Sequence, residues 1–438
     1  MTRAVILLDS GDPQRNTSTP GDNSGWQYEG QFKEVLGTPI APRYFLTANH
    51  VGGNQTFVFH GETYAVTAGY KDPGSDLQIW QVDHAFPDYA PLYQGGTETG
   101  LELRVFGRGT QRGTENMLDG RLRGWNWGPS DYVQRWGRNI VAGTLVSGGA
   151  PYLQANFDSP GLPDEAHLSG GDSGGGVFIM EDGLWKLAAI NYAVDDLFTT
   201  ADGGGRFNAA IFDARGYFTT DDNLTFTQIP DQGTNVPTSF YSTRVAARQS
   251  WIESVTKQSF ATIPPESYQS WLSLYFAPDQ IADPAATGST ADADGDGVPN
   301  LLEFAFNLDP TYAEPLPMVA DTGLRGLPLI RPEAVSATEV RLTVEYVRRT
   351  AASHSGIVYS VQWTSSLALD SAGWNTGGTE SVTPINARWE RVKATDSVAV
   401  GSGAPARFAR VAVTQARRLD SGTAGERTVA PRGPQVVR

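Results

Sequence analysis

The sequence predicts a mainly β protein with more than one domain. Three observations carry this reading. Glycine and proline are frequent and spread throughout, with 49 and 27 copies in 438 residues. Short apolar runs recur between turn residues at close intervals. No long amphipathic stretch interrupts them before residue 239, so an alternating strand–helix architecture is not expected. A chain of 438 residues also exceeds what one hydrophobic core usually serves, which implies two or three domains.

Taken in order, residues 1–24 (through STPGDNSG) are polar and turn-rich and are expected to form an extended arm. From Trp26 the runs WQYEGQF, YFLTANHV, QTFVFH, TYAVTAGY, LQIWQV and LELRVFG read as strands. NIVAGTLV, PYLQANF, GVFIM, WKLAAINYAV and GRFNAAIF continue the pattern. The segment 239–257, SFYSTRVAARQSWIESVTK, reads as a helix with Val245, Trp251, Ile252 and Val255 on its apolar stripe. A linker, QSFATIPPES, and a short helix, SYQSWLSLYF, follow. Past residue 320 the alternation of EVRLTVEYV, IVYSVQWT, WERVKAT and RFARVAVTQ predicts half-buried strands. The end reads as a flexible basic tail.

Composition narrows the function. A net charge of −15 argues against a nucleic-acid partner, which needs clustered Lys and Arg. The absence of cysteine excludes disulfides, thiolate metal sites and a cysteine nucleophile. No window reaches the roughly 18 apolar residues of a membrane span. The opening MTRAVILLDSGD is too short in apolar residues for an export signal, so such a signal has been removed or this start is not the natural one.

Residues 167–176, HLSGGDSGGG, surround one serine with glycine. Such backbone suits sharp bends and close approach. A serine becomes a nucleophile only with a base in reach, a group to orient that base, and donors for the oxyanion. The chain has five histidines: His50, His60, His84, His167 and His354. GDSGG also fits the G-x-S-x-G elbow of α/β-hydrolases, but only His354 follows Ser173, and strand–helix alternation is missing. The order His50, Asp76, Ser173 is the alternative, with Asp72 and Asp83 as rivals to Asp76. His60 and His84 read as surface or strand residues.

At this point the sequence resembles chymotrypsin-like (trypsin-family) serine proteases of the bacterial secreted type. LTANHV is similar to LTAAHC, SDLQIWQV to the D-[LI]-A-L-L segment and GGDSGGGVF to GDSGGP. FYSTRVAARQSWIESV is similar to the segment that closes that fold with a C-terminal helix. The resemblance covers about residues 25–258 and implies two β-barrel lobes split near residue 98. It implies Ser173 as nucleophile, His50 as general base and acid, Asp76 as the partner that orients His50, and the N–H groups of Gly171 and Ser173 as the oxyanion hole. Three departures stand out: Gly176 replaces the proline after GDSGG, Asn49 replaces a small residue, and no I-V-G-G start is present to pair with Asp172. The pocket is therefore expected to be ordered without zymogen cleavage. The resemblance puts the substrate-pocket base at His167 and Leu168 and its wall at Asn191 and Tyr192. No aspartate stands at the base, so an Arg/Lys preference is not supported. His167 either favours an acidic side chain or acts as filler.

Residues 292–303, DADGDGVPNLLE, fit a twelve-residue calcium loop. Asp292, Asp294, Asp296 and Glu303 would supply carboxylate oxygens, Val298 its carbonyl, and Asn300 a water-mediated contact. The element resembles the single loops of dockerin and thrombospondin type 3 repeats and reads as a structural Ca²⁺ clamp. The expected layout is an arm over 1–24, a protease domain over 25–258, a calcium-loop linker over 259–315, a β-sandwich over 316–425 and a tail over 426–438. The β-sandwich is similar to accessory modules of secreted bacterial enzymes, and Trp363, Trp374 and Trp389 are its candidates for cell-surface glycan or protein. The function expected is a secreted or periplasmic serine endopeptidase acting on protein or peptide. The alternatives are a catalytically silent binding or adhesion protein on the same fold, and a self-processing protease that carries a binding module.

Overall fold

The turn-punctuated runs of the N-terminal half become antiparallel strands that close on themselves twice. The computed structural model describes residues 5–195, 197–220, 224–259, 267–313, 317–351, 356–366, 373–401 and 406–415. His354, the 426–438 tail and most of the QSFATIPPES linker lie outside them. The chain divides into two compact units, residues 1–261 and 262–438.

In the first unit, β1 (Ile6–Leu7) precedes a closed six-stranded barrel. That barrel is made by β2 (Gly30–Phe32), β3 (Val35–Ala41), β4 (Tyr44–Ala48), β5 (Thr56–Phe59), β6 (Glu62–Lys71) and β7 (Leu77–Val82). Its interior is aromatic, with Phe32, Phe45, Phe57, Phe59, Tyr64 and Trp80 in one cluster. The Phe45 and Phe57 rings stack with centroids 4.0 Å apart.

Next come β8 (Glu102–Gly107), β9 (Thr110–Leu118), β10 (Arg121–Ser130), β11 (Arg135–Ser147), β12 (Ala150–Asn156), β13 (Ala166–His167), β14 (Gly176–Glu181) and β15 (Leu184–Val194). Short strands β16 (Leu197–Thr199), β17 (Phe207–Ile211), β18 (Phe218–Thr219) and β19 (Thr227–Gln228) lead to β20 (Ser239–Arg244). Strands β11, β12, β20, β15, β14 and β8 close the second barrel. The fold is thus mainly β, with the double barrel of the chymotrypsin-like architecture. A seam cluster joins Leu36, Leu46 and Ile79 of the first barrel to Phe106, Phe178 and Leu187 of the second. Burial of such side chains contributes about 1.5–3 kcal/mol each.

Three expectations are corrected here. The segment 239–257 is not one helix: Ser239–Arg244 is β20, held between β12 and β15, and the α-helix α1 covers only Gln249–Thr256. Barrel closure outweighs the helical spacing. Residues 5–24 are not a free arm. Val5, Ile6 and Leu7 are buried, and β1 pairs with β13 in the register Ile6↔His167. Finally, β9 and β10 extend into a six-stranded sheet with β16–β19, of which the strand reading had only β17, as GRFNAAIF. Its hairpin turns at Asp119-Gly120, both at positive φ, a two-residue signal present in the sequence.

The second unit begins with α2 (Tyr268–Tyr275), capped by the Ser267 side chain, which accepts from Ser270 N. Then come α3 (Pro278–Ile281), α4 (Pro284–Thr287) and α5 (Asn300–Phe306). Strands β21 (Leu329–Ala334), β22 (Val340–Arg349), β23 (Ile357–Thr364), β24 (Asn375–Thr376), β25 (Thr379–Pro384), β26 (Trp389–Ala399) and β27 (Phe408–Gln415) form a four-stranded and a three-stranded sheet. Their inner faces share one core with Trp271, Leu302 and Phe304 of the helices. The helices and the acidic loop therefore do not form a linker. They are part of the sandwich unit, because their apolar faces fill its core. Trp363 and Trp389 are buried within the unit at 2% and 4% exposure, so neither presents a surface to a partner. Trp374 is half-buried, with Arg410 stacked 4.2 Å from its centroid. Among the described residues, no helix is long and apolar enough to cross a membrane.

Candidate active site and metal loop

Strand register brings the first two site residues together. β4 pairs with β7 so that Ala48 faces Leu77, which sets the turn after Ala48 beside Asp76. Asn49 N donates to the Asp76 carbonyl at 2.7 Å, and His50 N donates to Asp76 Oδ1 at 3.1 Å. His50 Nδ1 lies 2.5 Å from Asp76 Oδ2, and Nε2 lies 2.8 Å from Ser173 Oγ. Asp76 is the more enclosed partner, with its side chain 13% exposed against 42% for His50. The rival acids are engaged elsewhere. Asp72 is bound by Arg248 and Ser75, and Asp83 accepts from Ala65 N and contacts His84. His84 is buried, between Asp83 and Glu62 and against Tyr64.

Ser173 stands on a loop held from below. Asn191 donates its amide to the Phe106 carbonyl at 2.8 Å and the Asp172 carbonyl at 3.1 Å, while Gly174 N donates to Asn191 O at 3.1 Å. Gly174 has φ 83°, and a Cβ there would stand 2.4 Å from Thr47 Oγ1 and 2.6 Å from Leu36 O. Glycine therefore lets the loop rest directly on the first barrel. The buried Asp172 accepts from Gly109 N and Ser169 N, each at 2.8 Å, and from Ser169 Oγ at 3.0 Å; the Val5 backbone adds a further hydrogen bond. Burial nonetheless pushes its carboxyl up to about 6. Among the described residues, the N–H groups of Gly171 and Ser173 donate no hydrogen bond within the protein.

The four pocket residues part company. Only Tyr192 borders a cleft. It stands edge-on to His50 with centroids 5.9 Å apart and stacks on Tyr152 at 4.8 Å. An open cleft of about 880 Å³ runs along Asp76, Tyr152, Tyr192 and Tyr241. Asn191 is a buttress rather than a wall, and Leu168 lies in the core of the second barrel. His167 is fully buried: Nδ1 lies 2.6 Å from the Leu168 carbonyl and Nε2 3.1 Å from Thr238 Oγ1, with Phe157 and Phe240 against the ring. Counting back from Ser173 failed because residues 166 and 167 pair with β1 in a separate two-stranded sheet. Burial lowers the His167 pKa to about 4, so the ring is neutral at pH 7 and offers no charge to an acidic side chain. His167→Gln is expected to lower thermal stability yet keep the ratio of cleavage after acidic and apolar residues within about twofold, since the ring touches no substrate. Peptide-library profiling checks this, and a collapse of that ratio would return His167 to the pocket.

The acidic loop is folded around Asp292, whose carboxylate accepts from Gly295 N at 2.8 Å and Gly297 N at 2.9 Å. Carboxylate oxygens of Asp292, Asp294 and Asp296 all lie within 4.8 Å of one another. Glu303, on α5, is 1% exposed; its Oε2 and the Asp294 Oδ2 are buried without a hydrogen-bond partner. Burial and then the neighbouring carboxylates push Glu303 up to about 9. The gathered aspartate oxygens, the unpartnered Asp294 Oδ2 among them, fit a hard cation with oxygen ligands, while the Glu303 carboxylate stands outside that three-residue cluster. Asp309, which the motif did not include, also acts on Glu303. Asn300 donates its amide N–H groups to the Ala286 and Gly288 carbonyls at 2.9 and 3.3 Å, and its Oδ1 is buried without a hydrogen-bond partner.

Fold and site together define a double-β-barrel protein with a Ser-His-Asp constellation at the barrel seam. Comparison with known proteins gives structural likeness only. No family profile and no curated protein matches the sequence. Among solved structures, the chain is similar to neuropsin, a serine protease expressed in mouse brain, at 13% identity and a TM-score of 0.33, over 55% of this chain and 96% of that one. It is also similar to the HtrA-type protease AlgW with a decapeptide, at 16% and 0.30, over 51% of each chain. A third is Rv3671c from M. tuberculosis H37Rv in an inactive serine-to-alanine form, at 17% and 0.28, over 47% of this chain and 91% of that one.

Proposed function

We propose that the protein is a serine endopeptidase working through an acyl-enzyme. The observation that carries this is the unbroken contact from Asp76 through His50 to Ser173, at 2.5 and 2.8 Å. Ser173 Oγ attacks the scissile carbonyl carbon while His50 Nε2 takes its proton. The carbonyl pair moves onto oxygen, where the Gly171 and Ser173 N–H groups receive it; one such donor is worth about 3–4 kcal/mol. Asp76 stabilises the imidazolium. As the carbonyl re-forms, the C–N bond breaks and His50 protonates the leaving amine. Water then repeats the sequence on the ester, with His50 as base, freeing Ser173. The open, tyrosine-bordered cleft beside Asp76 supports an extended peptide substrate.

Calcium fits the second unit. Asp292, Asp294, Asp296, Glu303 and the Val298 carbonyl would hold it, and it would supply charge neutralisation rather than chemistry. A structural calcium loop supports an extracellular or periplasmic location. Binding of a surface glycan or protein by this unit would have to use half-exposed groups such as Trp374.

Fluorophosphonate labelling tests the enzymatic reading. Wild type is expected to carry the adduct on Ser173, while Ser173→Ala and His50→Ala stay unlabelled. A folded wild-type chain that takes no label would sink the reading and bring forward the silent, binding form of the same fold.

A further inference from the structure

Gly176 stands where the resembled motif has proline, and it therefore keeps an N–H. That N–H crosses the barrel seam and donates to Glu29 Oε1 at 3.1 Å. The same oxygen accepts from Thr38 Oγ1 on β3 at 3.0 Å. The fit is close: a Cβ on residue 176 would stand 2.4 Å from Glu29 Oε1 and 2.6 Å from the Phe178 ring. Glycine at 176 and the acid at 29 thus depend on each other. Glu29 is buried, and its Oε2 has no hydrogen-bond partner.

This contact lies three residues beyond Ser173 along the chain. His50 and Asp76 belong to the first barrel, and Ser173 precedes β14 of the second. Their spacing is set by how the second barrel's loop seats on β3 and β4. The loop is seated at Gly174 by the bare backbone against Thr47 and Leu36, and at Gly176 by the hydrogen bond to Glu29. We infer that Glu29 is a positioning residue for the proposed hydrolysis, clamping the start of β14 to β3 so that Ser173 stays in reach of His50. The inference rests on the serine-hydrolase reading above.

The clamp has a pH range. Burial raises the Glu29 pKa to about 8, against smaller opposing effects of Thr38 and Gly176 N–H, and no charged side chain figures among the influences on it. Thr38 on β3 bonds it, and Phe178 of β14 and Leu187 of β15 close on the Gly176 backbone beside it; the adjacent titratable group is Tyr28, whose ring stacks on Phe178. Glu29 is therefore carried protonated at neutral pH. The unfolded chain ionises it from about 4.5 upward while the folded chain resists until about 8, so its contribution to stability declines over that window and levels off above it. An ionised, half-satisfied carboxylate in the seam draws water in and loosens the clamp.

The test measures the rate constant and half-saturation of fluorophosphonate labelling against pH in full-length wild type, Glu29→Gln and Glu29→Leu. Folding is followed by circular dichroism and melting. Wild type is expected to lose labelling rate above pH 8. Glu29→Gln keeps an acceptor without a titrating proton, so it should label within about twofold of wild type at pH 7 and lack the alkaline fall. Glu29→Leu should label at least tenfold more slowly at every pH with unchanged half-saturation. A folded Glu29→Leu that labels like wild type overturns the inference while leaving the protease reading intact. An alkaline fall retained in Glu29→Gln also overturns it. No labelling of wild type overturns both. If Glu29→Leu does not fold, the Glu29→Gln profile decides alone.

Discussion

Asp76→Asn is expected to lower the turnover rate about 10⁴-fold with substrate affinity little changed. Asp76 Oδ2 receives the Nδ1 proton of His50, and Oδ1 receives the His50 backbone N–H. An asparagine keeps this shape but can turn its NH₂ toward Nδ1. The ring would then carry its proton on Nε2, which could no longer take the Ser173 proton across 2.8 Å. Hydrolysis rates on labelled casein, with kcat and KM separated, check this. A loss below tenfold would mean that Asp76 does not set the tautomer. Asp72→Asn is the matched control. It weakens the contact with Arg248 and should act on stability rather than on turnover.

Calcium removal should act on the other unit. At calcium a thousandfold above its dissociation constant, the bound ion adds about 4 kcal/mol to the folded state. For a unit of this size that corresponds to roughly 8–16 °C in melting temperature. Scanning calorimetry of the whole chain in calcium and in chelator should show one transition moving and the other fixed, with Ser173 labelling at 25 °C the same in both. Glu303→Gln should lose most of the calcium-dependent shift, because it deletes the carboxylate that closes the loop from α5. Identical melting in calcium and chelator would remove the metal from the description. Labelling that disappears with the chelator would restore the view of the loop as a support for the protease unit.

The parts of the molecule written in short-range chemistry could be read in advance. LTANHV and GGDSGGGVF carry their meaning in neighbouring residues, and the strands around them alternate in the ordinary way. The turn of DADGDGVPNLLE, with Asp292 accepting from Gly295 N and Gly297 N, is similarly local. What failed depended on distant partners. His167 looked like a pocket residue until Ile6 paired with it from 161 positions earlier in the chain, counted from the register Ile6↔His167. SFYSTR looked helical because nothing nearby announces that β12 and β15 will flank it. Residues 267–313 looked like a linker because a small, Ala- and Asp-rich stretch separates the apolar runs WLSLYF and LLEFAFNL. Only the sandwich shows that Trp271, Leu302 and Phe304 complete its core. Tyr152 and Glu29 carried no signal beyond being a tyrosine and an acid in strand-like runs. An inward acid in WQYEGQF was the one oddity that could have drawn notice.

The threading of β1 has a consequence for synthesis. The first barrel is built from residues 30–82, all near one another in the chain, and such local structures form early and quickly. The second barrel needs β20, at residues 239–244, and the nucleophile loop also needs Val5 beside Asp172. Its closure therefore joins the two ends of a unit more than two hundred residues long. A nascent chain carries His50 and Asp76 in place well before Ser173 has a formed loop to stand on. The Ser-His-Asp site is thus the last part of its unit to be completed, and on the proposed function a ribosome-bound chain would have no hydrolytic activity until that ordering is finished.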